Sequence, residues 1–293
     1  MFPLPEFDQP PRRVVSLVPS ATESLCELGL GGALVGVTDY CIHPASQTAR
    51  LPKVGGTKNP RLADILALQP DLIIANQEEN TRESVEVLRG AGIPLWLTFP
   101  RTVDAAIADL YTLAGIFRSQ TAMLAVKSLA LAVDYARAAA PPRVPYFCPI
   151  WYDDAGWWMT FNRDTYCHDL LALLGGENVF ADRERRYPLE ADIALGEPRP
   201  GEGRDTRYPR VTAAEIIAAD PEIILLPSEP YEFTPAHSQE AARVLGAATA
   251  ARAGRVQLVD GSLITWYGTR LARALRELGG VFGLWREEGL ESV

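Results

Sequence analysis

The chain has 293 residues, 28 Lys and Arg against 37 Asp and Glu, and a formal charge of −9. That balance excludes the basic face that nucleic-acid phosphates require, and leaves neutral or cationic ligands and basic partner surfaces open. A hydrophobic share of 47% with 22% charged residues is that of an ordinary globular protein, and the length suggests two domains of about 100–150 residues each.

The opening "MFPLPEFDQPPRR" has no basic start followed by an apolar core. The expectation is a cytosolic chain if Met1 is the natural start, or one that begins after a removed signal. No apolar run reaches the ~20 residues that span a bilayer. "RRVVSLV" predicts a strand and "PSATESLCELGLG" a helix, with Ser20 and Glu23 at capping-box spacing and Gly29 as the stop. "ALVGVTDY" predicts the next strand. Then comes "ADILALQPDLIIANQE" at 63–78: a short helix ended by Pro70, and a run apolar on both faces that suits a buried parallel strand. "TRESVEVLRGAG" and "IPLWLTF" add a helix and a strand.

Residues 119–140 contain neither Pro nor Gly, are rich in Ala and Leu, and stop at Pro141 and Pro142. They predict one helix of roughly 33 Å, a stiff connection between domains. Beyond it, "VPYFCPIW" and "GWWMTF" predict strands, "DTYCHDLLALLGG" a helix, and 196–210 a surface loop. "AEIIAADPEIILLPSE" at 214–229 then repeats the plan of 63–78 at an offset of 151 (214 − 63). "SQEAARVLGAA", "RVQLVD" and "TRLARALRELGGVFG" complete the alternation. The fold class is therefore α/β: two Rossmann-like parallel-sheet lobes joined by one long helix, with residues 1–118 as the first lobe, 119–141 as the bridge and 142–293 as the second lobe.

Ligands of open parallel sheets bind beyond the strand carboxyl ends. There the first lobe places Pro19, Ser20, Asp39, Tyr40, Cys41, His43, Asn76, Gln77, Glu78 and Glu79. The second places Trp151, Tyr152, Trp157, Trp158, Ser228, Glu229 and Tyr231, and after its last strand Trp266 and Tyr267. Two facing lobes would share an aromatic-lined cleft with a few carboxylates, suited to a large, flat or apolar ligand. Cys41 and His43, in C-x-H spacing, are a candidate metal pair without an apparent third ligand; the four cysteines form no CxxC pair. His168 and His237 stand isolated. There is no GxSxG, GxxxxGK[ST] or HExxH, and no catalytic residue is assigned.

The succession "RVVSLVPSATESL", "LVGVTDYCIHP", "KVGGTKNPRLADILALQPDLIIA", the helical bridge, "LLGGENVF" and "AADPEIILLP" resembles the class III solute-binding proteins of ABC importers for metal chelates, especially the cobalamin-binding branch, from about Arg13 to Leu278. The resemblance implies capture of cobalamin, a ferric siderophore or haem between the lobes, with no intrinsic cofactor. It also implies an ABC permease as partner, a monomer peripheral to the membrane, and an extracytoplasmic location. Tyr40 and the pair Trp266–Tyr267 match aromatic ligand contacts of that family. Two first-lobe tryptophans of the cobalamin binders fall on Thr57 and Asn76, and haem binders use Tyr or His, as at Tyr40 and His43. The permease-docking acids correspond to Asp64 and Glu215, although the alignment puts them one residue earlier, on Ala63 and Ala214. Three other readings stay open: direct capture of a transition metal through Cys41, His43, Glu78 and Glu229; a cytosolic enzyme or chaperone acting on a tetrapyrrole; and a sensor module.

Overall fold

The structure is a computed structural model that describes residues 5–139, 141–153, 155–199, 201 and 203–283. Ala140 of the expected bridge, Pro200 and Glu202 of the expected loop, and residues 284–293 of the expected second lobe lie outside the described residues. The chain divides into two compact units. The first runs to Ala132 and includes Trp266–Ala272; the second is Val133–Thr265 with the residues from Arg273 on.

In the first unit, β1 (Val14–Ser16), β2 (Leu34–Val37), β3 (Leu72–Asn76) and β4 (Leu95–Thr98) form one sheet in the order β2-β1-β3-β4. Every pairing is parallel. The central strands β1 and β3 are buried along their whole length, which explains why both read as unbroken apolar runs. Val15, Ile73 and Ala75 pack with Ile65 of the helix Leu62–Ala67 and with Val85 and Leu88 of the helix Arg82–Gly90.

The helix Pro19–Glu27 follows β1 and ends before Gly29 at φ 74°, the left-handed stop expected there. The capping box expected at Ser20 and Glu23 is not formed. Pro19 takes the first helical position, where a missing N–H costs nothing, and this moves the cap to Val18, which has no side-chain acceptor. Glu23 is engaged instead with Arg270, 247 residues away.

The helix Gln120–Ala139 crosses from the first unit to the second. It buries Ala122, Val126, Leu129, Val133 and Ala136. Spacings of four and three place these residues on one stripe of an amphipathic helix.

The second unit holds β5 (Val144–Phe147), β6 (Trp151–Asp153), β7 (Trp157–Met159), β8 (Gly176–Asn178), β9 (Arg210–Thr212), β10 (Ile223–Pro227) and β11 (Val256–Val259). Four of them build a second parallel sheet, β11-β10-β5-β8. The other three form a separate antiparallel sheet, β6-β7-β9, which the reading of continuous strand–helix alternation did not foresee. "VPYFCPIW" was expected as one strand; it breaks after Phe147, because Pro149 cannot donate to a ladder. The sheet's inner face adds Trp158 and Val211 to a core shared with Phe147, Ile224, Leu226 and Phe233. Its register sets Trp158 against Tyr152 and Val211, so neighbouring Trp157 points to the opposite face and is only half-buried.

The segment expected as a solvated loop is tied down. The Arg199 N–H donates to Tyr187 O at 2.7 Å, and the Arg185 N–H to Thr206 O at 2.8 Å. The last expected helix is also segmented. It consists of a 3-10 turn Gly268–Arg270, a helix Leu271–Glu277 and a second 3-10 turn Gly279–Phe282, with Gly279 and Gly280 weakening helix continuation.

Candidate functional site

Each unit assembles its own cluster of the residues singled out above. In the first, the loop after β2 holds Tyr40, 63% exposed, and His43, half-buried. The His43 ring meets the Trp266 indole edge-on, with centroids 5.8 Å apart at 65°. Trp266 is also half-buried, and the Arg270 guanidinium lies over its ring at 4.6 Å. Arg270 in turn donates from Nε to Glu23 Oε2 at 2.7 Å and from its terminal nitrogen to Glu23 Oε1, a bidentate pair with both side chains almost wholly buried. The backbone N–H of Thr269 donates to Ser24 Oγ at 3.2 Å. Gly268, at φ 86°, permits that approach: a Cβ there would sit 2.2 Å from Ser24 Oγ.

Tyr267 stands beside Trp266 in sequence but is buried, with its hydroxyl 3.5 Å from Thr98 Oγ1; burial pushes its pKa well up. Cys41 is fully buried. Its thiol accepts from Thr22 Oγ1 at 3.1 Å and lies 3.1 Å from Thr38 Oγ1, and burial raises its pKa. The alternation of the loop thus turns Cys41 inward while Tyr40 and Ile42 face out. Glu78 is held by its backbone: its N–H donates to Asn76 Oδ1 at 2.7 Å, and its carbonyl accepts from Lys58 Nζ. Among the described residues, no group of three or more His, Cys, Asp or Glu could hold a metal ion.

In the second unit, Trp151 is 45% exposed and meets Tyr231 edge-on at 5.2 Å. The orientation of Tyr231 follows from His237. The Thr234 N–H donates to His237 Nδ1 at 3.0 Å, so Nδ1 is the acceptor nitrogen. Nε2 of the neutral ring then carries the proton, which it donates to the Tyr231 hydroxyl at 3.1 Å. His237, isolated in the sequence, is a capping residue that orients an aromatic. Trp157 lies under the Arg210 guanidinium at 4.3 Å. Glu229 accepts from Thr265 Oγ1 at 2.9 Å, and Gly261 packs so close to it that a Cβ would fall 2.5 Å from the Glu229 backbone.

The two acids matched to permease docking both occupy the third position of a short helix. Asp64 pairs with exposed Arg61 at 2.6 Å. Glu215 closes a capping box with Thr212 and reaches Arg183 at 3.4 Å. Sequence reasoning read Glu23 only as a cap and missed Ser24 and Arg270. The glycine in "WYGTR" marks a turn, but no local signal names partners so distant.

Each of the two units holds one parallel sheet, and a long uninterrupted helix runs from the first unit into the second. The model of the periplasmic binding protein family matches residues 14–263, and the chain belongs to this family. A vitamin B12-binding protein of Yersinia pestis (strain Pestoides F) is 31% identical over 188 residues, which are 61% of this chain and 64% of that protein. The match therefore spans less than two thirds of the curated relative's length. The structure of the periplasmic vitamin B12 binding protein BtuF of Vibrio cholerae has a TM-score of 0.76 at 20% identity, covering 95% of this chain and 99% of that one. The periplasmic heme-binding protein RhuT from Roseiflexus sp. RS-1, in apo form, has a TM-score of 0.73 at 23% identity, covering 92% and 97%. At these identities the two structures show the fold alone.

Proposed function

We propose that this chain captures a flat metal chelate, a corrinoid or related tetrapyrrole, and delivers it to an ABC permease from an extracytoplasmic position, as a monomer. One observation carries the reading. Each unit has a partly exposed aromatic pair, His43–Trp266 in the first and Trp151–Tyr231 in the second. Aromatic faces bury large apolar area at low entropic cost and suit a conjugated macrocycle. The B12-binding relatives support the corrinoid. The test is titration of the purified chain with cyanocobalamin, followed by absorbance and tryptophan fluorescence. Saturable quenching that weakens in Trp266→Ala or in Trp151→Ala is expected; an unchanged spectrum at high ligand overturns the corrinoid reading.

A haem ligand is the second reading, because Tyr40 and His43 place two metal-ligating side chains in one loop. A Soret shift on adding haemin, lost in Tyr40→Phe or His43→Ala, would select it. Delivery is tested by co-purification with the permease encoded in the same genome, and location by cell fractionation. No helix among the described residues is long and apolar enough to cross a membrane.

A further inference from the structure

We infer that Arg270, locked by Glu23, is a positioning residue that holds the Trp266 indole in a fixed orientation as a preformed ligand platform. The inference rests on the reading of Trp266 as a ligand contact and adds what makes that contact rigid. Arg270 has a side-chain exposure of 3% and Glu23 of 8%, so neither charge is there to meet solvent. Taking both out of water is costly, and an apolar pair of similar volume often serves stability as well. What an apolar pair does not supply is a planar group fixed by two parallel hydrogen bonds. The fork of Arg270 on Glu23 fixes the guanidinium plane. That plane lies over the Trp266 ring at 4.6 Å, within the range of a favourable cation–π contact. His43 closes against Trp266 from another side, at 65° to its ring.

The indole is therefore constrained by a cation and by a second ring, yet stays half-buried, so part of it remains open to a ligand. The backbone is held as well. Thr269 donates to Ser24 of the helix that carries Glu23, and Gly268 is the residue that lets the two segments approach. A side chain fixed before binding loses less freedom when the ligand arrives, which appears as affinity.

The experiment uses the full chain labelled with 5-fluorotryptophan. The chain has six tryptophans, and Trp266→Phe assigns the resonance of interest. Two changes are compared with the unaltered chain: Arg270→Lys, which keeps the charge but loses the fork and the planar stack, and the double variant Glu23→Gln with Arg270→Met, which leaves no buried charge behind. Positioning predicts that the Trp266 fluorine resonance shifts and changes width in both variants while the other tryptophan resonances stay put. It also predicts that affinity for cyanocobalamin falls about tenfold. A Trp266 resonance identical to that of the unaltered chain in the folded double variant overturns the inference, as does an altered resonance with undiminished affinity. If the double variant does not fold, Arg270→Lys is read by the same criteria. If the unaltered chain binds neither cyanocobalamin nor haemin, the ligand reading falls, and the fluorine spectrum alone decides whether Arg270 fixes Trp266.

Discussion

The two copies of the helix–turn–strand repeat agree in backbone and differ in chemistry. The helix Leu62–Ala67 leads through Gln69, at φ 48°, into β3 at Leu72–Asn76. The helix Ala213–Ala219 leads through Asp220, at φ 45°, into β10 at Ile223–Pro227. Each left-handed residue precedes a proline, and each position in the second copy lies 151 residues after its counterpart (220 − 69). Yet the first helix starts at Arg61 with no side-chain cap, while the second starts with the Thr212–Glu215 box. At the other end, Asp220 accepts from the Thr249 N–H at 2.7 Å and from its hydroxyl at 3.0 Å. The plan is kept by the apolar run and the turn, and the polar fastenings are particular to each copy. Function is therefore to be sought in the polar and aromatic residues that break the symmetry between the units.

Their buried acids show the contrast most strongly. Asp192 in the second unit is completely buried and fully engaged: Oδ1 accepts from Arg183 and from the Arg186 N–H, and Oδ2 from the Arg210 N–H. Asp192→Ala strips Arg183 of its main countercharge and leaves two backbone donors without an acceptor. A loss of about 3–5 kcal/mol is expected, measured by urea unfolding; a change below about 1 kcal/mol would show that the network is not coupled to the core. Next in size is the proposed ligand platform. Trp266→Ala is expected to weaken cyanocobalamin binding by about 2 kcal/mol, roughly thirtyfold, with little change in melting temperature.

Asp109, in the helix Val103–Ile116 of the first unit, is the opposite case to Asp192. Its Oδ2 is buried with no hydrogen-bond partner, and desolvation raises its pKa from 3.8 to about 7. The native chain thus holds this proton more tightly than the unfolded chain does. The stability this supplies is fully present below about pH 4 and is lost as pH rises through 7. Melting temperature should therefore fall between pH 5 and pH 8 in the natural chain, and Asp109→Asn should flatten that part of the profile. An equal slope in the variant would assign the pH dependence to other groups.

These contrasts mark what could be read in advance. Periodic and punctuating residues carried the fold: the apolar runs of β3 and β10, Gly29 after its helix, and the bridge without Pro or Gly. Local patterns failed where tertiary partners compete for the same side chain. Glu23 has the right spacing for a cap, but Pro19 occupies the first helical position and Arg270 takes the carboxylate. The sheet β6-β7-β9 was hidden because its three-residue strands are too short for alternation to register, and β9 follows a polar segment. Of the candidate site, the sequence offered the aromatics but not their exposure. Tyr40 and Tyr267 looked alike, and only tertiary packing buries the second.

The smallest expected effect separates the two copies at their acids. Glu215 Oε2 accepts from the Thr212 N–H at 2.9 Å and from its hydroxyl at 3.1 Å, while the Glu215 N–H donates to Thr212 Oγ1 at 3.3 Å. A carboxylate at the third helical position also lies in the favourable field of the helix start. Glu215→Gln keeps most of this box but weakens the ion pair with Arg183, so a loss of about 0.5–1 kcal/mol is expected. Among the described residues, the Asp64 carboxylate pairs only with Arg61, and both side chains are more than half exposed. Asp64→Asn should change stability by less than about 0.5 kcal/mol. An acid committed to its own helix has little freedom to meet an arginine of a partner, whereas one on an exposed pair can exchange partners cheaply. If permease docking uses these positions, Asp64→Asn should lower transport in cells without altering the melting temperature. Glu215→Gln should lower transport only as far as it lowers the amount of folded protein, and a transport loss larger than that would show that Glu215 leaves its cap to dock.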